Sequence, residues 1–412
     1  MRSRAAVALI ATALALTTAA TAAPAAAARR VVSVSVHQVF TVPSTGKFRL
    51  AGHGFGHGHG MSQYGAEGAA RKGLSYQRIL AFYYPHTSLG TGKGSIRVLI
   101  TGDTSDGVRV VATKGLRVVD AGSKTSYALP YRSDITKWRM VVRDGNVVVD
   151  YHTNAWHRFA IGPEKLAHLA GNGTFRSASG VLRLITPSGK DRYRGGLRGV
   201  RASAGARTLD TVNVLSLDDY VRGVVPLEMP TTWHTAAVRA QAVAARTYAM
   251  FERAENRHRY YQICDTSRCQ VYGGMDAETT EGNAAVTATA GRYVSYRGGP
   301  AFTQFSSSSG GWTSAGSQPY LPAQKDTYDG WSGNPVHSWS VKVRADVLEK
   351  RYPRIGTLKK ITITGRAGGG QWHGRVLTVK LTGSKHSGTV HGSAIAAAYG
   401  LRSTWFMPQR AG

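Results

Sequence analysis

Tyr220-Val-Arg-Gly-Val-Val-Pro-Leu-Glu-Met-Pro230, followed at Ala236 by Ala-Ala-Val-Arg-Ala-Gln-Ala-Val-Ala-Ala-Arg-Thr-Tyr-Ala-Met-Phe-Glu-Arg253, marks where this chain changes character. The second segment contains neither Gly nor Pro and is rich in Ala, the best helix former, so it reads as a helix able to pack closely in a core. Upstream the pattern is different. Ile96-Arg-Val-Leu-Ile100, Val108-Arg-Val-Val111, Val147-Val-Val149, Val181-Leu-Arg-Leu-Ile185 and Asn213-Val-Leu215 are short β-branched runs separated by Gly, Asp, Ser and Thr. That alternation is a strand signature. The two halves together predict an α+β fold with a mixed helix/sheet core and a β-rich insertion.

Working outward, Val31, Val32, Val34 and Val36 suggest a strand entered within 29–50. The run Gly52-His-Gly-Phe-Gly-His-Gly-His-Gly60 and then Met61-Ser-Gln-Tyr-Gly-Ala66 lead into two short helices, 66–73 and 75–84, the second stopped by Pro85. Val376-Leu-Thr-Val-Lys380 reads as a late strand, and 394–399 as a short last helix. Arg2 and Arg4, the apolar run 5–16 and the small residues 17–28 have the layout of a secretory signal peptide. The expected divisions are 1–28 signal peptide, 29–95 the N-terminal part of the core, 96–205 a β-rich domain and 206–412 the main core.

The chain has 412 residues, with 52 Lys and Arg against 23 Asp and Glu, a formal charge of +29. Such a charge predicts polyanionic surroundings. Export, dispersed basic residues and the lack of a zinc-finger spacing argue against nucleic acid and for anionic wall polymers. Nucleotide-loop chemistry is excluded too: 52–60 contains no G-x-G-x-x-G, and Gly90-Thr-Gly-Lys-Gly-Ser95 is not a P-loop. No Gly-x-Ser-x-Gly elbow is present, and Ser306–Ser309 has no evident base. His53, His57 and His59 are close enough to share a metal, yet no acidic residue follows until Glu67, so a backbone-bonded or groove-lining role is preferred. Cys264 and Cys269 suit a short-loop disulfide in an oxidising compartment; zinc with His258 is the alternative, short of a fourth ligand. Glu228, bracketed by Pro226 and Pro230 among apolar residues, is a candidate general acid, because burial raises a carboxyl pKa. The competing reading is a solvated carboxylate at a helix start.

Several segments, in order, resemble the SpoIID/LytB family of stage II sporulation protein D and the amidase enhancer LytB. They are Val212-Asn-Val-Leu-Ser-Leu-Asp-Asp-Tyr-Val-Arg-Gly-Val-Val-Pro-Leu-Glu-Met-Pro230, Val238 to Tyr248, Cys264-Asp-Thr266 with Cys269-Gln-Val-Tyr272, Ser309-Gly-Gly311 with Thr313, and Pro319-Tyr-Leu321. The 52–66 segment resembles the family's other hallmark. There it follows the catalytic region, whereas here it precedes it, which looks like a circular permutation and predicts that 52–88 packs beside the C-terminal segment.

The resemblance implies binding of peptidoglycan glycan strands and, in one branch, a secreted lytic transglycosylase that cuts between N-acetylmuramic acid and N-acetylglucosamine, with a preference for strands lacking stem peptides. It maps the catalytic glutamate onto Glu228 and a supporting basic residue onto Arg246, for which a substrate-orienting role fits best. Asp218, Asp219 and Asp265 are the candidate second acids should the enzyme instead be a two-carboxylate hydrolase. Candidates for the sugar groove are Gln270, Ser309, Gly310, Trp233, His57 and Gln63, with Trp312 beside them. No metal or cofactor is expected. The other branch implies a wall-binding protein that enhances an N-acetylmuramoyl-L-alanine amidase, without cleavage of its own. An extracellular nucleic-acid binder ranks last.

Overall fold

The computed structural model describes residues 33–410; the expected signal peptide, 1–28, lies outside them. The fold is α+β, as the patterning predicts. Two sheets are built from 95–216. One has six antiparallel strands in the order Trp156–Arg158, Asn146–His152, Lys137–Arg143, Gly107–Val111, Val181–Thr186 and Gly189–Arg194. The other has seven, in the order Ile263–Cys264, Ser95–Leu99, Asp210–Ser216, Gly196–Val200, Gly173–Ser177, Leu116–Asp120 and Ser126–Ala128. Period-2 burial puts Val108, Val110, Val118, Met140, Val149, Phe175, Leu184 and Leu197 into one core. The second sheet crosses residue 205, because Asp210–Ser216 pairs with both Gly196–Val200 and Ser95–Leu99. Strand Ile263–Cys264 extends it in parallel at its edge.

Helices α1 (Gln63–Arg71), α2 (Tyr76–Tyr83), α3 (Leu217–Arg222), α4 (Val225–Glu228), α5 (Thr235–Glu255) and α6 (Thr280–Ala288) form the helical layer. Helix α5 is its centre: Ala237, Ala240, Ala242, Ala244, Ala245 and Ala249 are buried, and these small side chains let α1, α2, α3 and α6 approach closely. Val238 and Val243 are buried among them, each contributing about 1.5–3 kcal/mol of apolar transfer. The first helix starts three residues before the expected Ala66. Ser62 is its N-cap, its Oγ accepting the Gly65 N–H at 3.0 Å, which satisfies one of the first turn's free donors.

Instead of one strand, 29–50 supplies all of Val34–Thr41 and the start of Lys47–His53, separated by a turn in which Gly46 N–H bonds Pro43 O. Both strands join the C-terminal unit. Val34–Thr41 pairs with Leu358–Arg366, and Lys47–His53 lies between Ser338–Arg344 and Phe406–Arg410. A second core, including Phe48, Leu50, Ile363, Val379, Ile395 and Phe406, binds the two chain ends together. The expected contact between 52–88 and the C-terminal segment is therefore made, with Gly56 N–H on Arg402 O and Ser403 Oγ–H on His53 O as further links. No helix among the described residues is long and apolar enough to cross a membrane.

Candidate active site

Helix α4 is a single turn. Pro226 is placed in its first turn, where its missing N–H costs nothing, and buried Val224, Val225 and Met229 hold it to the core. Glu228 is its last residue. A helix end leaves carbonyls without partners, and here Gln63 Nε2 donates to Glu228 O at 2.8 Å. The side chain of a residue in the Met-Ser-Gln segment thus fixes the backbone of the candidate acid, 165 positions away.

Facing Glu228 across a cleft of about 300 Å³ is the wall Ser267–Val271. Val271 N–H donates to Glu228 Oε1 at 3.3 Å. Cys264 and Cys269 are disulfide-bonded, which closes the loop behind this wall and leaves no thiolate for zinc with His258. Gln270 is buried in the wall with both ends of its amide engaged, Oε1 by Tyr220 OH at 3.1 Å and Nε2 on Ala245 O at 3.3 Å. Tyr272 OH donates to Asn213 Oδ1 at 2.7 Å, tying the loop to the seven-stranded sheet. His57, Tyr248, Arg268, Gln304 and Phe305 complete the cleft, and Glu228 is the one carboxylate among the described residues that line it.

Burial raises the Glu228 pKa above its ordinary value of 4.5, with the Val271 N–H opposing this weakly. His57 is pushed the other way, to about 4, by burial and then by His59 and Arg375. Its Nδ1 accepts the His59 N–H at 2.9 Å, a bond that only an unprotonated Nδ1 can make. The alternating glycines of 52–60 make this geometry possible; at Gly60, with φ of 67°, a Cβ would stand 2.0 Å from Gln304 O. Among the described residues, His53, His57 and His59 do not form a metal-binding cluster.

Several expected roles are corrected. Arg246 reaches neither Glu228 nor the cleft: it is fully buried, with Nε on Asp218 Oδ1 at 2.7 Å and Nη1 on Arg292 O at 3.1 Å. It projects from α5 toward α3 and α6, and joins them. Asp218 is consumed by this pair, Asp219 by the Ser216 cap and Asp265 by Thr101 N–H and Oγ–H, so none of the three is a second acid at Glu228. Ser309 and Gly310 are away from the cleft as well. Ser309 Oγ–H donates to Asp326 Oδ2 at 2.8 Å and Gly310 N–H to Asp329 Oδ2 at 3.1 Å, both inside the protein. Trp233 packs on Tyr64 with ring centroids 4.8 Å apart, pinning α1 to the α4–α5 connection and not lining the cleft. Of the expected groove residues, the cleft therefore gathers His57 and Gln270, with Gln63 behind Glu228.

Sequence reading missed Tyr248 and Arg268 in the cleft, although Tyr248 is visible on the Ala-rich helix and Arg268 inside the cysteine loop. Gln304 and Phe305 open the Ser/Gly-rich run 304–312, a polar turning loop whose hydroxyls and glycines suit contact with sugar, and it is these first two residues of the run that reach the cleft. Also missed was the buried pair Asp326 and Asp329 with its partner His337.

Comparison with known proteins fits this geometry. Residues 206–296, which span α3 to α6, match the family model described as Stage II sporulation protein, SpoIID. The amidase enhancer of Bacillus subtilis (strain 168) is 39% identical over 137 residues, 32% of this chain and 18% of that protein. Stage II sporulation protein D of Bacillus amyloliquefaciens is 30% identical over 225 residues, 49% of this chain and 62% of that protein. Residues 206–296 thus form a region similar to SpoIID within this chain. An uncharacterized protein of Brachyspira hyodysenteriae, 39% identical over 107 residues, matches 26% of this chain and 29% of its own length. The chain spans less than two thirds of each of these relatives. Within the SpoIID/LytB region the match contains Glu228, Arg246, Gln270 and both cysteines, whereas His57 and Gln63 reach the same cleft from outside it.

Proposed function

We propose that the Glu228 cleft cuts the glycan strands of peptidoglycan, as a secreted lytic transglycosylase with a single general acid/base. The observation that carries this reading is a lone carboxylate in the cleft wall, raised in pKa by burial. A protonated Glu228 donates to the glycosidic oxygen while the bond to the anomeric carbon breaks; the resulting carboxylate then accepts the proton of the muramoyl C6 hydroxyl as that oxygen attacks the same carbon. The product is a 1,6-anhydro end, with no net addition of water. A hydrolase would need a second acid about 5–10 Å away. Gln63 positions Glu228 through its carbonyl, Gln270 holds the opposite wall through its bonds to Tyr220 and Ala245, and neutral His57 offers a polar contact to the sugar. The charge of +29 suits a chain working among anionic wall polymers, and strands freed of stem peptides are the preferred substrate.

The test is mass spectrometry of products released from peptide-free strands by the wild type and by Glu228→Gln. Anhydro-muramoyl ends from the wild type alone are expected. Reducing ends, or equal products from both proteins, would overturn the assignment.

A second reading follows from the similarity to the Bacillus subtilis amidase enhancer. In it the same cleft binds wall glycan without cutting, and the chain activates a cell-wall amidase. Glu228→Gln would then leave amidase stimulation intact.

A further inference from the structure

A larger cavity, about 640 Å³, opens next to the Glu228 cleft. Its walls are loop 312–323, the hairpin segment 367–377 and the stretch 393–405, with 56–59 along one side. It is therefore made mostly by the C-terminal unit, outside the region matched to SpoIID. His57 borders both cavities, and its ring stacks on that of His59, which lines the larger one, with centroids 5.0 Å apart.

The lining has a definite chemistry. Trp312 and Trp405 line it, and Gly369 and Gly370 lie against their rings at distances no side chain would allow. Arg375 and Arg402 line it too, and no Asp or Glu does. Arg375 is 6% exposed. Its Nη1 donates to Gly56 O at 2.8 Å, while Nε and Nη2 have no acceptor. Gly58, with φ of 77°, leaves room for the guanidinium; a Cβ there would stand 2.4 Å from Nη2. A buried cation with unused donors, in a cavity without a carboxylate, is complementary to an acidic ligand. Aromatic faces and a cavity in the size range of small-molecule sites suit a sugar ring as its body.

We propose that this cavity is a second saccharide site, taking a carboxylate-bearing amino sugar of the same strand that Glu228 addresses, with Arg375 pairing to the carboxylate and the half-buried Trp312 packing on the sugar. The assignment rests on the glycan-strand reading of the Glu228 cleft. Two groups of a wall glycan supply such a carboxylate: the lactyl ether of a peptide-free muramoyl residue and the acidic groups of a stem peptide.

Equilibrium binding to the full chain tests this with three probes of equal sugar count: an N-acetylglucosamine oligomer, a peptide-free strand and a strand with its stem peptides. At least one of the two acidic strands is expected to bind tenfold or more tighter than the neutral oligomer, and the preferred one identifies the carboxylate. Arg375→Gln should abolish that preference. Because Arg375 is buried, Ser393→Trp is the second variant: it projects bulk from an exposed position at the cavity rim and should also abolish the preference while the circular dichroism spectrum stays that of the wild type. Equal affinity of the wild type for all three probes, or a preference retained by a folded Ser393→Trp protein, would overturn the proposal. Binding is read without catalysis, so an absence of anhydro products overturns the transglycosylase reading and leaves this result standing.

Discussion

Two carboxylates in this molecule, the half-buried Glu228 and the fully buried Asp329, have opposite electrostatics. Glu228 faces a cleft and receives one N–H, from Val271 at 3.3 Å. Asp329 is fully buried, yet it accepts from Ser62 Oγ at 2.6 Å, Ser308 Oγ at 2.9 Å, Ser309 N at 3.0 Å, Gly310 N at 3.1 Å and Asn334 Nδ2 at 3.1 Å, with His337 Nδ1 at 2.8 Å. Burial alone would raise both. At Glu228 it prevails, and the pKa rises. At Asp329 the donors prevail, led by His337, and the pKa falls below its ordinary value despite deeper burial. Its neighbour Asp326 is raised to about 6 by burial and by the Asp329 charge. A carboxylate is kept ready to carry a proton by withholding donors from it, and is turned into a structural anion by supplying them.

The largest expected effect follows from removing that anion. Asp329→Ala leaves at least five donors without their acceptor, and should cost about 3–5 kcal/mol in a denaturant titration. Asp329→Asn, which keeps the shape, should cost less. A loss below about 1 kcal/mol for the alanine variant would mean the network contributes little to folding.

Glu228→Gln is the converse case. It should lower turnover by about 10²–10⁴-fold, the usual worth of a general acid, while changing stability by no more than about 1 kcal/mol, because the amide oxygen still accepts from Val271. Denaturation and product assays on one preparation separate the two quantities.

The pH dependence of stability should also differ in sign. Glu228 has a raised folded pKa, so its contribution to stability is largest when protonated and declines as pH rises from the ordinary 4.5 through the raised value. Asp329, with a lowered pKa, contributes above the ordinary 3.8 and ceases to as pH falls through its folded value. His337, raised by the Asp329 hydrogen bond, contributes fully below 6.5 and loses this as pH rises through its folded value. Denaturation of His337→Gln at about pH 5 and about pH 8 should therefore reveal a deficit relative to wild type that is larger at the lower pH. A deficit independent of pH would remove the ion-pair explanation.

The smallest effect concerns Gln63. It touches Glu228 through the backbone only, so Gln63→Ala should reduce kcat by roughly tenfold, about 1.4 kcal/mol, with KM changed less and the acid limb of the pH–rate profile shifted. Loss of stability with an unchanged pH profile would make Gln63 merely structural.

The helical centre was legible because an alanine run without Gly or Pro has one good local answer, and α5 extends the expected segment by only a residue or two at either end. The strands of 96–215 were legible as short β-branched runs between turn residues, and the cysteine pair as a short loop suited to an oxidising compartment. Arg246 was misread for an instructive reason. Its spacing from Glu228 puts both in one region, but which neighbour its guanidinium meets depends on the packing of α3 and α6 against α5. Ser309 and Gly310 look like a ligand-binding turn in sequence, and become buried donors only because Asp329 folds back onto them.

Taken alone, the sequence determined what depends on neighbours a few positions apart: the Ala-rich helix, the β-branched strand runs, the proline-framed segment that carries Glu228, and the resemblance of those motifs to the SpoIID/LytB family. Only the tertiary structure decided which carboxylate would be starved of donors and which saturated with them. Those donors include Val271 at Glu228 and Ser62 and Ser308 at Asp329, residues outside each acid's own segment, and desolvation is a property of everything packed around a group and not of the group's own segment.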